Sequence, residues 1–61
     1  MELYKLIDKH PGLTLKEIHD LFRETAPSLY NERSVNDALL SLRKKGLIYV
    51  TSKKKYYTVP L

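Results

Sequence analysis

The residues best placed to do chemistry are cations. Lys53, Lys54 and Lys55 stand together in the stretch TSKKKYY, and Arg43, Lys44 and Lys45 precede them by a few positions. All seven acids of the chain lie at or before Asp37, so residues 43–61 carry these bases with no acid among them. The first 42 residues are slightly acidic, and the formal net charge of +4 therefore comes wholly from the C-terminal third. Like charges gain nothing by crowding locally, so a pole of this kind points to a polyanionic partner. Other chemistries are poorly supplied. His10 and His19 lack metal-ligand spacing and a third partner, and the chain has no cysteine. No Ser/His/Asp set, carboxylate pair or glycine-rich phosphate loop is present, so no enzyme, cofactor or small-molecule substrate is expected.

Several further side chains could reach a nucleic acid. Arg33 can grip guanine O6 and N7, and Asn36 can pair with adenine N6 and N7. Asp37 is unfavourable beside phosphates unless it accepts from cytosine N4, holds Arg33 or caps the helix behind Ser34; capping is the preferred expectation. Arg33 has an alternative use in an ion pair with Glu32 or Asp37. Leu40 is unexpected on a polar flank and fits a thymine methyl, a shared core or a protein contact.

These residues need elements to carry them. Sixty-one residues make one domain, 1–61, with a small core. Leu3, Leu6 and Ile7 recur at helical spacing, and His10-Pro11-Gly12 ends that first helix. Thr14-Leu15-Lys16-Glu17 has the form of a capping box opening a second helix with Leu15, Ile18, Leu21 and Phe22 on its apolar stripe. Pro27 stops it. Asn31 or Ser34 starts a third helix, buried through Val35, Ala38, Leu39 and Leu42 and closed by Gly46 as its left-handed residue. That leaves Arg33, Ser34, Asn36, Asp37, Leu40, Ser41 and Lys44 on the outer sectors.

Beyond Gly46 the apolar period changes from 3.6 to 2, which predicts a hairpin closing over residues 52–55. Ile48 then faces Val59 and Val50 faces Tyr57, with Tyr57 in the core and Tyr49 and Tyr56 on the outer face. Lysines at the tip supply no turn chemistry, so a loose loop is expected.

The run Val35-x-x-Ala38-Leu39-x-x-Leu42-x-Lys44-Lys45-Gly46-Leu47-Ile48 resembles the third helix and wing junction of winged helix-turn-helix transcription regulators. Leu13-Thr14-Leu15-x-Glu17-Ile18 resembles the start of their second helix. The resemblance covers nearly the whole chain and implies an α+β fold, three helices with a C-terminal two-stranded β-hairpin wing. It also implies double-stranded DNA as the partner. The third helix, through Arg33, Ser34, Asn36, Asp37, Ser41 and Lys44, would enter the major groove, and Lys53, Lys54, Lys55 and Tyr56 of the wing would meet backbone or minor groove. The Z-form-binding branch of that fold shares the pattern Asn36-x-x-Leu39-x-x-Leu42. It expects a tyrosine where this chain has Leu40, a lysine in place of Glu32 and a tryptophan in the wing.

A protein-interaction module of the same fold is the alternative, favoured by Leu40, Asp37 and Glu32 and opposed by the basic tail. A homodimer or a partner protein is compatible with either. No apolar run is long enough to span a bilayer, and MELYKLIDKH is amphipathic, unlike a secretory leader, so a cytoplasmic setting and no membrane partner are expected.

Overall fold

A computed structural model describes residues 2–60. Three helices, α1 (Glu2–Lys9), α2 (Leu15–Thr25) and α3 (Glu32–Lys44), are followed by an antiparallel pair of strands, β1 (Ile48–Val50) and β2 (Tyr56–Thr58). This is the α+β layout of a winged helix. No described helix is long and apolar enough to cross a membrane.

The helix boundaries follow from local chemistry. Thr14 caps α2 through its Oγ1, which accepts from the Glu17 N–H at 3.3 Å, while the Glu17 carboxylate accepts from the Thr14 N–H at 3.0 Å. Two of the free amides at the helix start are thereby satisfied. At α3 the cap is Asn31, whose Oδ1 accepts from the Ser34 N–H at 3.1 Å. Ser34 therefore lies inside the helix, and the capping role expected for Asp37 is not used. One residue pair cannot cap a helix that has already begun three positions earlier. At the far end Gly46 has φ +74°, with Gly46 N–H to Arg43 O and Leu47 N–H to Leu42 O both at 3.0 Å. These are the two bonds of a Schellman ending, and Leu47 enters β1 directly from it.

The core gathers one face from each element. Leu3, Leu6 and Ile7 of α1, Ile18 of α2, and Val35, Leu39 and Leu42 of α3 are buried with Ile48 and Tyr56 of the hairpin. Helix α1 packs against α2, α3 and β2 together. Leu15, expected on the apolar stripe, is instead 41% exposed, because as the first residue of α2 it lies at the edge of the packed face.

The hairpin departs from the expected register by one residue. Ile48 pairs with Thr58, Tyr49 with Tyr57 and Val50 with Tyr56. The cause is the turn. Lys54 N–H bonds to Thr51 O at 2.9 Å and Thr51 N–H to Lys55 O at 3.0 Å, so Ser52, Lys53 and Lys54 form a three-residue loop. Such loops end on a left-handed residue, and Lys54 takes that place with φ +62°. The tip is a defined turn rather than a loose one. Because side chains alternate along a strand, the slip exchanges the two tyrosines: Tyr56 is core at 9% exposure, and Tyr57 moves to the outer face. There it stacks on its ladder partner Tyr49, with centroids 5.4 Å apart and planes 19° from parallel.

A second tie holds the hairpin to the helices. Leu13 forms an antiparallel bridge to Tyr56: Tyr56 N–H donates to Leu13 O at 2.8 Å, and Gly12 N–H donates to Tyr56 O at 2.9 Å. Gly12 sits at φ +88°, and a Cβ there would lie 3.3 Å from the Tyr57 hydroxyl. On the other side, Thr58 Oγ1 donates to Asp8 Oδ1 of α1 at 2.9 Å.

Two substitutions test this register. Tyr56→Ala should cost about 3–5 kcal/mol, as for other large core aromatics, and Tyr57→Ala only about 1 kcal/mol from its stack. Similar costs, measured by urea denaturation, would contradict the pairing. Lys54→Gly should raise stability by about 0.5–1 kcal/mol, because glycine removes the Cβ penalty of the left-handed site.

Candidate nucleic-acid interface

The outward flank of α3 is open. Arg33, Ser34, Asn36, Asp37, Leu40 and Lys44 are exposed, and Ser41 is half-buried. Residues 33, 37, 40 and 44 follow one another at helical spacing along a single face. Among the described residues the one ion pair joins Arg23 and Asp20 at 3.8 Å, so Arg33 is held by neither Glu32 nor Asp37. Leu40 is 51% exposed and is not shared core.

The cations fall into two groups. Arg43, Lys44 and Lys45 are exposed at the C-terminus of α3, where the negative end of the helix dipole favours them. Lys53 and Lys54 are exposed on the turn. Residues 46–52, with β1 among them, lie between the two groups along the chain. Lys55 belongs to neither. It is half-buried, and its charge helps to hold Glu17 of α2 ionised. The Leu13–Tyr56 bridge explains this, since it sets the residue before Tyr56 beside the start of α2. Tyr56, expected among the wing contacts, is turned into the core by the three-residue loop and is withdrawn from the interface. The exposed aromatic surface of the wing is Tyr49, stacked on the half-buried Tyr57.

One group of residues was not anticipated. A polar chain runs across the junction of α2 and α3. Arg23 Nη2 donates to the Tyr30 hydroxyl at 3.4 Å, and its guanidinium also lies 4.8 Å from the Tyr30 ring centre. The Tyr30 hydroxyl meets His19 Nδ1 at 2.9 Å, and His19 Nε2 meets Asn36 Oδ1 at 2.9 Å. The Tyr30 ring stands edge-on to both His19 and Phe22. His19 and Arg23 are four residues apart on α2, so their common face was legible; that they converge on Tyr30 and Asn36 was not.

Two groups titrate away from their ordinary values. The Arg23 guanidinium is held higher, chiefly by its hydrogen bond to Tyr30. The Glu17 carboxyl is held lower, first by the Thr14 backbone N–H, then by the Thr14 hydroxyl, with a smaller contribution from the charge of Lys55. No group of three or more potential metal ligands gathers among the described residues.

Compared with known proteins, the chain matches no protein-family model, no curated sequence and no solved structure.

The lowered Glu17 pKa fixes the sign of one pH effect. A carboxylate held down in the folded state stabilises it above the unfolded pKa of about 4.3, and that contribution fades as pH falls through the folded value. Glu17→Gln should therefore lower stability at neutral pH and flatten its dependence on pH below about 4.3. Urea titrations of both proteins between neutral and acid pH check this; parallel curves would remove the capping box from the acid response.

Proposed function

We propose that this domain binds double-stranded DNA, with α3 in the major groove and the wing against the backbone or minor groove, as a small transcription regulator or the DNA-binding part of one. The observation that carries the reading is the open flank of α3, with unneutralised cations exposed at its C-terminus and on the hairpin turn. Thirteen residues make α3 about 20 Å long, and a major groove about 12 Å wide accepts such a helix. The longest dimension of the domain, 29 Å, matches about eight base pairs of duplex.

Roles divide by position. Arg33, Ser34 and Asn36 lie in the first turns of α3, the end that reaches base edges in helix-turn-helix docking. Arg43, Lys44 and Lys45 at the end of α3 and Lys53 and Lys54 on the turn serve phosphates. The turn supports this assignment. Glycine would suit the left-handed position 54 better than any other residue, yet a lysine is there, so folding stability has been exchanged for charge. Lys55 contributes less, because Glu17 already shares its field.

The competing reading, a protein-interaction module, draws on one observation. Leu40 and Leu29 are 51% and 66% exposed. Asp37, exposed on the same flank as Leu40, also suits a basic protein better than a phosphate.

A gel-shift titration with random duplex at low salt decides between them. Binding at micromolar concentration or tighter is expected, with affinity falling steeply as salt rises. Lys53→Ala with Lys54→Ala should reduce the slope of log affinity against log salt by about 1.8, and Lys55→Ala by clearly less than 0.9. Lys54→Gly should bind more weakly while melting higher. No shift at tens of micromolar would favour the protein partner instead.

A further inference from the structure

The polar chain between α2 and α3 has a direction. Arginine has donors only, so the Arg23 end can do nothing but give a proton to the Tyr30 oxygen. Tyr30 can then donate its own hydroxyl hydrogen to His19 Nδ1, which in this order is the ring nitrogen without a hydrogen. The other ring nitrogen, Nε2, consequently carries its hydrogen and donates to Asn36 Oδ1. In this order every proton along the chain is used once. In the reverse order Tyr30 would accept twice and its own proton would have no protein acceptor among the described residues. The chain ends at Asn36, on the exposed flank of α3. Its carbonyl oxygen is committed to α2, and its amino group has no protein partner among the described residues.

From this we infer that His19 is a positioning residue for DNA reading: it fixes Asn36 with the oxygen turned back and the amino group presented as a hydrogen-bond donor. The consequence for DNA rests on the binding function proposed above; the arrangement of His19 and Asn36 does not. Pairing with adenine, the usual partner of asparagine, needs both arms of the amide at the base edge, because the oxygen must accept from N6. With the oxygen held on α2 only the donor arm reaches out. Guanine then becomes the favoured base, since its N7 and O6 are both acceptors, whereas adenine sets a donor beside N7. His19 selects a base without touching it. Tyr30 and Arg23 act one step further back, by keeping His19 in the required tautomer.

The test has an arm in the free protein and an arm with DNA. Nitrogen-15 spectra of the free protein should show His19 as the Nε2–H tautomer. They should also show the Asn36 side-chain amide in a single environment that His19→Phe disperses and His19→Gln restores. Glutamine keeps both functions, an oxygen for Tyr30 and an N–H for Asn36. An Nδ1–H tautomer, or an Asn36 amide indifferent to His19→Phe, overturns the inference whatever DNA does. In the second arm, a random duplex pool is compared with the same pool built from 7-deazapurines, which lack the N7 acceptor. The wild type should bind the modified pool roughly fivefold more weakly, the worth of about one hydrogen bond. His19→Phe and Asn36→Ala should lose the part of that discrimination that Arg33, the other candidate for N7, does not carry, and His19→Gln should recover it. Equal binding of both pools by the wild type overturns donation to purine N7 while leaving DNA binding intact. Failure to bind either pool at low salt overturns the donor role along with the DNA-binding function, and the first arm still decides whether His19 positions Asn36.

Discussion

Two backbone hydrogen bonds, Tyr56 to Leu13 and Gly12 to Tyr56, hold the architecture together. A lone two-stranded hairpin is at best marginal in water. Here its second strand is also bonded to the short segment between α1 and α2, so the wing becomes part of a small three-stranded patch. That attachment buries the Tyr56 ring against the helices. It also brings Lys55 over the start of α2, where its charge adds to a capping box already holding Glu17 ionised. The hairpin, the second helix and the core are therefore coupled at one place. Gly12 makes the approach possible, since its positive φ and missing Cβ let the Tyr57 hydroxyl pass close by.

A domain of this size has little stability to spare, about 3–9 kcal/mol by the usual range per residue. The fully buried side chains, Ile7, Ile18 and Val35, each come from a different helix and meet in one core. Most other investments are made at boundaries: a capping box, an asparagine cap, a Schellman ending. The lysine at position 54 runs against that economy. A left-handed site in the turn would be most stable with glycine, and its occupation by a cation is understandable where charge at the tip has a use.

The second coupling in the molecule is polar and crosses the helix-turn-helix. Arg23, Tyr30, His19 and Asn36 connect the outer face of α2, the connecting segment and the exposed flank of α3. A chain of this kind ties the two helices together and restrains the side chain at its end. Packing alone leaves the end of an exposed asparagine free to rotate; a directed set of donors and acceptors does not.

What the sequence determined by itself is everything governed by short-range chemistry. The Leu3, Leu6 and Ile7 stripe, the Thr14–Glu17 capping box and the closing role of Gly46 were all legible, because each depends on residues within one or two turns. The placement of the cations after Asp37 belongs to the same class. Tertiary structure decided the rest. The hairpin register followed from loop length, and the loop length depended on Lys54 accepting a left-handed conformation that its residue type disfavours. One residue of slip exchanged the environments of Tyr56 and Tyr57 and moved Lys55 away from the tip. Asn31 rather than Ser34 began α3, which left Asp37 without a cap to serve. His19 gained its partners from positions 11 and 17 residues away. Such contacts are set by how packed elements meet in space, and no local pattern of residue types encodes that.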